Sequence, residues 1–367
     1  MWKKVNLINP AIILEPLSPL VAFSYHPASL KTTNGVVLDK PGKAFCDPPV
    51  SFRIIVLLKT ILKILERVMT VRLSAIAKSK CLLHPNQCGS LPGLSSADAC
   101  LALTHKIKTF QRHRLEVSTL FLHIKAGFDN VKASTLRAKL LASRVPSYMV
   151  DWVSSFLSER TCTLVFQGSS NLSSPVSVGT PQGSPISSLL FLLYIAPLHM
   201  SVPRGLIVSY IDDFSITVAS PSYRGNIRRL QGLFSTISAK GRDIGVSFSG
   251  PKTELIHWRT QSQRTPPSTA PIELEGHLFH HSGVVRWLGY WFTPALTSTH
   301  YFRQRLSLAQ AILSFVKCLC SPGAGALPFL CHRIASGLLL PILTYGAYLL
   351  TPRYTVLRDI NSFWHRV

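Results

Sequence analysis

Apolar residues recur at helical spacing from position 54 on: Leu58, Ile61, Leu62, Leu65, Met69 and Leu73 form one stripe, and Lys59, Lys63 and Arg67 return every four residues on another face. The pattern predicts a helix that begins near Ile54. Helices are also predicted over residues 99–110, behind a Gly-, Pro- and Ser-rich loop at 86–98, and over 132–143 and 147–158. At 117–124 the period changes to two, with Val117, Thr119, Phe121 and His123 on one face, so a strand is expected there. A second strand is expected at 161–167, then a strand end and loop at 176–184 and a long apolar helix to about Tyr194. Two hydrophobic runs, 206–211 and 214–218, enclose Asp212 and Asp213 and place that pair at or near the tip of a hairpin. A helix near 227–240, a strand pair around 246–258, a linker loop at 261–271, a hairpin at 284–292 and helices from about His300 complete an α+β pattern.

Residues 1–50 hold Pro10, Pro16, Pro19, Pro27, Pro41, Pro48 and Pro49 and read as irregular. Lys3 and Lys4 precede an apolar stretch that Pro10, Glu15 and Pro16 interrupt, so no signal peptide is expected and the protein is read as intracellular. The uncharged run 334–352 approaches the length of a membrane span, but Gly337, Pro341, Tyr345 and Gly346 interrupt it between Arg333 and Arg353. It is read as a buried helical hairpin rather than a membrane segment. A membrane-associated basic protein stays as a third functional class, resting on this run and on a mean hydropathy of +0.25.

A hydrophobic content of 47% over 367 residues excludes a disordered chain. Thirty-nine Lys and Arg against sixteen Asp and Glu give a net charge of +23, which points to a polyanionic partner, nucleic acid first. The eight cysteines form no Cys-x-x-Cys and no zinc spacing, so free thiols in a reducing compartment are expected. In so acid-poor a chain the adjacent Asp212 and Asp213 stand out. Two carboxylates on one turn suit a divalent cation, and they also suit an ordinary Asp-Asp turn. Read singly, Phe128 and Trp287 are core aromatics, Lys252 a surface lysine, Arg53 a helix flank, and Gly183 and Pro185 loop residues.

Taken in order, these segments resemble the reverse transcriptases of LINE-type (non-LTR) retrotransposons from about Val36 to about Tyr345. The resemblance implies a right-hand polymerase fold with an antiparallel palm sheet and a helical thumb. It divides the chain into an irregular N-terminal segment (1–50), a fingers region (51–115), a palm with inserted fingers elements (116–260), a linker loop with a primer-grip hairpin (261–295) and a thumb-like region (296–367). Tyr210-Ile211-Asp212-Asp213 matches the metal-binding hairpin, and Gly179-Thr180-Pro181-Gln182-Gly183-Ser184-Pro185 the template and nucleotide loop. Lys252 matches the lysine near the departing pyrophosphate, a general-acid role. Arg53 matches the fingers arginine that meets the triphosphate, Phe128 the residue that blocks a ribose 2′-hydroxyl, and Trp287-Leu288-Gly289 the primer grip. The implied partners are an RNA template, a DNA primer and deoxynucleoside triphosphates, with Mg2+ as cofactor.

The departures carry equal weight. His123 stands where the family has a bridging aspartate, Ala126-Gly127 reverses the usual small pair, Leu91 and Leu94 occupy places where arginines are usual, and Ile54 replaces a proline. Imidazole is a poor substitute for a carboxylate on Mg2+, and Mn2+ accepts it better. Asp129, six residues on, is a candidate compensating carboxylate, though past the turn it is expected to point away from the strand face. Impaired RNA-directed DNA synthesis is therefore expected, with a non-catalytic nucleic-acid-binding relic as the alternative. No endonuclease domain is expected within the first 50 residues, and no ribonuclease H domain after Val367.

Overall fold

The computed structural model describes residues 11–40, 52–166, 168–260, 271–319, 327–350 and 352–365. In chain order, helix α1 is Ala11–Ala22 and a 3-10 turn at Ala28–Leu30 leads into strands β1 (Thr32–Asp39) and β2 (Phe52–Leu57). Helix α2 (Thr60–Ser79), the short β3 (Gln87–Cys88), α3 (Ser96–Arg112) and β4 (Glu116–His123) follow. Next come α4 (Ala133–Ala142), α5 (Ser147–Leu157), β5 (Arg160–Phe166), β6 (Ser169–Ser170), β7 (Ser174–Val176) and α6 (Ser187–Met200). The hairpin β8 (Ile207–Tyr210) and β9 (Asp213–Ser220) precedes α7 (Tyr223–Asp243) and β10 (Glu254–Trp258). Two small hairpins, β11 (Ile272–Leu274) with β12 (His277–Phe279) and β13 (Val285–Trp287) with β14 (Tyr290–Phe292), lead to α8 (Ser298–Leu319), α9 (Pro328–Thr344) and α10 (Tyr354–Trp364).

The chain forms two compact units, each assembled from three separate segments. The first comprises 1–92, 124–204 and 236–248. Its sheet holds β1 between antiparallel β2 and parallel β5, with β6 and β7 on β5. Helix α6 is buried from Leu189 through Ala196, as a helix apolar on every side must be.

The second unit comprises 93–123, 205–235 and 249–367, and in its main sheet β10, β4, β9 and β8 lie side by side in that order, all antiparallel. Helix α3 packs on this sheet, and its start is fixed by Ser95 and Asp98 in a reciprocal capping box. The middle residues of β4 are buried on both faces. Polar side chains there are matched across strands: Thr119 Oγ1 lies 2.9 Å from Thr217 Oγ1 and accepts from Trp258 Nε1 at 2.7 Å, and Ser118 Oγ lies 2.7 Å from His257 Nδ1. At the C-terminal end Leu313, Val316, Leu339, Leu343 and Phe363 join α8, α9 and α10 in one apolar cluster.

Several expectations change. Residues 52–57 are a strand, because the run Ile54-Ile55-Val56 extends and pairs with β1, and the helix starts only at Thr60. The N-terminal segment contains α1, with Pro16 and Pro19 inside it, and the eight-residue β1, which runs through Thr32, Thr33, Val36 and Val37 without a proline. Around 246–258 only β10 is a strand; Gly250 and Pro251 shape a 3-10 turn, and the strand's partner is the distant β4. Residues 334–344 continue one helix through Gly337 and Pro341 instead of dividing into a hairpin. Among the described residues no helix is long and apolar enough to cross a membrane. No disulfide joins the described cysteines. Positions 261–270 of the expected linker, and Pro10, Pro41, Pro48 and Pro49, lie outside the described residues.

Candidate metal centre

Strands β8 and β9 pair through Tyr210 and Asp213, which leaves Ile211 and Asp212 as a two-residue turn. Ile211 adopts φ 54°, a left-handed conformation that costs a β-branched residue about 1–2 kcal/mol. Such strain persists where the surroundings fix the turn, and here it sets the Asp212 side chain beside that of Asp213. The register β4 to β9 puts His123 directly opposite Asp213. The turn at Gly250–Lys252 is tied to the same strand end, since Ser249 N donates to His123 O at 2.8 Å.

These constraints bring four side chains together. His123 Nδ1 lies 2.8 Å from Asp213 Oδ1, His123 Nε2 lies 2.9 Å from Lys252 Nζ, and Asp212 Oδ2 is 3.6 Å from Nε2. A lysine ammonium only donates, so Nε2 accepts from it and the ring proton sits on Nδ1, where Asp213 accepts it. Burial raises the Asp212 carboxyl above the usual range; the charge of Asp213 adds to the rise, while His123 and Lys252 oppose it.

His123, Asp212 and Asp213 each offer one ligand atom, all within 4.8 Å of one another, and no other such trio of His, Cys, Asp or Glu occurs among the described residues. Asp129 is outside the group; its Oδ1 accepts from Gln182 Nε2 at 3.1 Å. The donor set is two carboxylates and an imidazole whose two nitrogens already have partners. It does not fit a pair of hard Mg2+ ions, which want bridging oxygen. It fits a single cation that takes mixed nitrogen and oxygen ligands, such as Mn2+, once Lys252 leaves Nε2.

The remaining predicted residues fall into two sets. Trp287, Leu288 and Gly289 belong to the second unit, at the turn of the β13–β14 hairpin, where Leu288 and Gly289 both have positive φ as a type I′ turn requires. Trp287 is buried with its ring centroid 5.6 Å from that of Phe121, and Tyr345 Oη donates to Leu288 O at 2.9 Å. Tyr345 escapes sequence reasoning because it is 57 residues from its partner.

Arg53, Phe128, Gln182 and Gly183 belong to the first unit. Arg53 is exposed on β2, and Phe128 stacks on Phe191 with centroids 4.8 Å apart. Gln182 O accepts from Val56 N at 2.7 Å, and Gly183, at φ 121°, lies so close to Val56 O that a Cβ would sit 2.7 Å from it. The next residue, Ser184, donates to Glu66, a fully buried carboxyl on α2 whose pKa burial pushes up to about 7. Glu66 was legible in one respect: it is a lone acid at helical spacing from Leu62, Met69 and Leu73 in the apolar stripe.

Comparison with known proteins gives the family and the fold. The sequence matches the family described as "Reverse transcriptase (RNA-dependent DNA polymerase)" over residues 38–292. It is 27% identical over 285 residues to a probable RNA-directed DNA polymerase from transposon BS of Drosophila melanogaster, covering 76% of this chain and 31% of that protein. It is 24% identical over 335 residues to the RNA-directed DNA polymerase from mobile element jockey of the same organism, covering 88% and 35%. The fold resembles apo telomerase from Candida tropicalis with a TM-score of 0.52 at 13% identity, over 91% of this chain and 58% of the other. The chain thus spans about a third of the length of these two transposon relatives.

Proposed function

The chain belongs to the reverse transcriptase family, and from that premise we propose that it is the RNA-directed DNA polymerase region of a non-LTR retrotransposon, impaired in Mg2+-dependent synthesis by His123. The observation that carries the impairment is the 2.8 Å contact of His123 Nδ1 with Asp213: a neutral ring fills the place of a bridging carboxylate. A divalent ion bound there would activate a primer hydroxyl and neutralise phosphate charge. Asp212 and Asp213 would hold it. Lys252 is the group that moves a proton to the leaving pyrophosphate, and in the resting protein its ammonium rests on His123 Nε2. Arg53, Phe128, Gln182 and Gly183 serve the deoxynucleoside triphosphate, and Trp287, Leu288 and Gly289 the primer end.

Residues 116–260 then form the palm with inserted fingers elements, 51–115 the fingers and 296–367 the thumb. Template RNA and primer DNA are the partners, in the nucleus or cytoplasm. Primer extension on an RNA template tests the proposal, with the native chain and His123→Asp each in Mg2+ and in Mn2+. Restoring the carboxylate is expected to raise Mg2+-dependent extension by about a hundredfold or more. Equal extension by both proteins in Mg2+ would overturn the role given to His123. Lys252 engaged on the imidazole favours a second reading, a nucleic-acid-binding relic, and that reading prevails if neither protein extends in either metal.

A further inference from the structure

Within the second unit, a cleft of about 370 Å3 opens at the N-terminal end of α8, lined by none of the residues assigned above. Lys108 from α3, Arg259 just past β10 and Arg353 just before α10 face it, together with the hydroxyl residues Thr260, Thr297 and Ser298. Among the described residues no carboxylate lines it, and neither Lys108 nor Arg353 forms an ion pair. The first turn of α8 contains no acidic residue, so the partial positive charge of this 22-residue helix is uncompensated by its own side chains. Thr297 N is held by Thr293 Oγ1 at 3.0 Å, which fixes the entry of the helix.

We propose that this cleft binds a phosphoryl group. Lys108 and Arg353, drawn from separated parts of the chain and lying with Arg259 beside hydroxyls and a helix N-terminus, make a cationic lining that suits a polyvalent oxyanion. The volume admits a phosphate with an attached sugar, so the group arrives either as a free phosphate or on a nucleic-acid backbone. The inference does not use the polymerase reading, since the cleft shares no residue with the metal centre.

The test uses the full chain, the double variant Lys108→Gln/Arg353→Gln, and a control, Arg72→Gln/Lys80→Gln, that removes two exposed charges from the first unit. All four side chains are exposed, so each variant is expected to melt near the native temperature without ligand. Inorganic pyrophosphate is expected to raise the melting temperature of the native chain and of the control but not of the cleft variant. If the occupant is a nucleic-acid phosphate, the slope of log affinity against log salt for single-stranded DNA also falls by about 0.7 in the cleft variant, the contribution of the one phosphate lost. If it is a free phosphate, only the pyrophosphate response changes. A cleft variant that matches the control in both measurements overturns the site, whatever primer extension shows.

Discussion

His123 joins two carboxylates that would otherwise repel, donating to one while accepting from Lys252. Replacing it by aspartate therefore has a structural effect separable from catalysis: three carboxylates then share one lysine. Without metal, His123→Asp is expected to lower stability by about 1 kcal/mol, and Mg2+ is expected to restore it, as differential scanning calorimetry with and without the ion will show. Glu66 behaves in the opposite sense to a paired surface acid. Its folded carboxyl keeps its proton up to about pH 7, whereas the unfolded chain releases it near the ordinary 4.5, so its contribution is lost as pH rises between these values. Glu66→Gln keeps an acceptor for Ser184 and cannot ionise; its melting temperature is expected to exceed the native value above pH 7, with the gap closing toward pH 5. The adjacent Asp212 and Asp213 are legible in sequence because hairpin pattern and carboxylates coincide there. The Lys252 contact is not, since 129 residues separate it from His123.

Elements whose side-chain period is unambiguous match expectation closely: the β4 strand, helices α4 and α5, and the β13–β14 hairpin all fall within about two residues of the pattern. Reading fails where pairing decides the state. The apolar run at 52–57 is equally a helix start or a strand until β1 lies beside it, and the strand that β10 pairs with, β4, is far away in sequence. Glycine at 346 shows a requirement that only packing reveals. It has φ 71°, and a Cβ there would overlap the Tyr290 ring and the Tyr301 hydroxyl. Gly346→Ala is expected to cost about 3 kcal/mol in chemical denaturation, from backbone strain and overpacking together. Tyr345 precedes it and holds the Leu288 turn, so the variant is also expected to loosen the β13–β14 hairpin, seen as faster amide exchange at Tyr290.

For the molecule as a whole, buried bases set the response to pH. Burial pushes His26 and His257 down to about 4 and His199 down to about 3, while the unfolded chain protonates each near 6.5. Stability is therefore lost as pH falls from about 6.5 toward 4, by up to about 3 kcal/mol per histidine. Lys139 at about 7 and Lys106 at about 8, both lowered by burial, act in the same direction on the alkaline side, against the carboxyls of Glu66, Asp212 and Glu254, which burial raises. A melting-temperature series is expected to climb from pH 4 through neutrality and to peak above pH 7. The net charge of +23 was legible from composition, but these five basic groups were not, because only the fold removes them from water.

The central position of β4 has a consequence for how the protein comes off the ribosome. Its neighbours are β9 and β10, and the Trp258–Thr119 bond closes a loop of 139 residues. At roughly 5–20 residues per second of synthesis, β4 waits on the order of ten seconds for its second edge to be made. During that interval one edge of an apolar strand is open to any other extended chain, and in a nascent protein halted before β10 that edge lacks the strand that covers it.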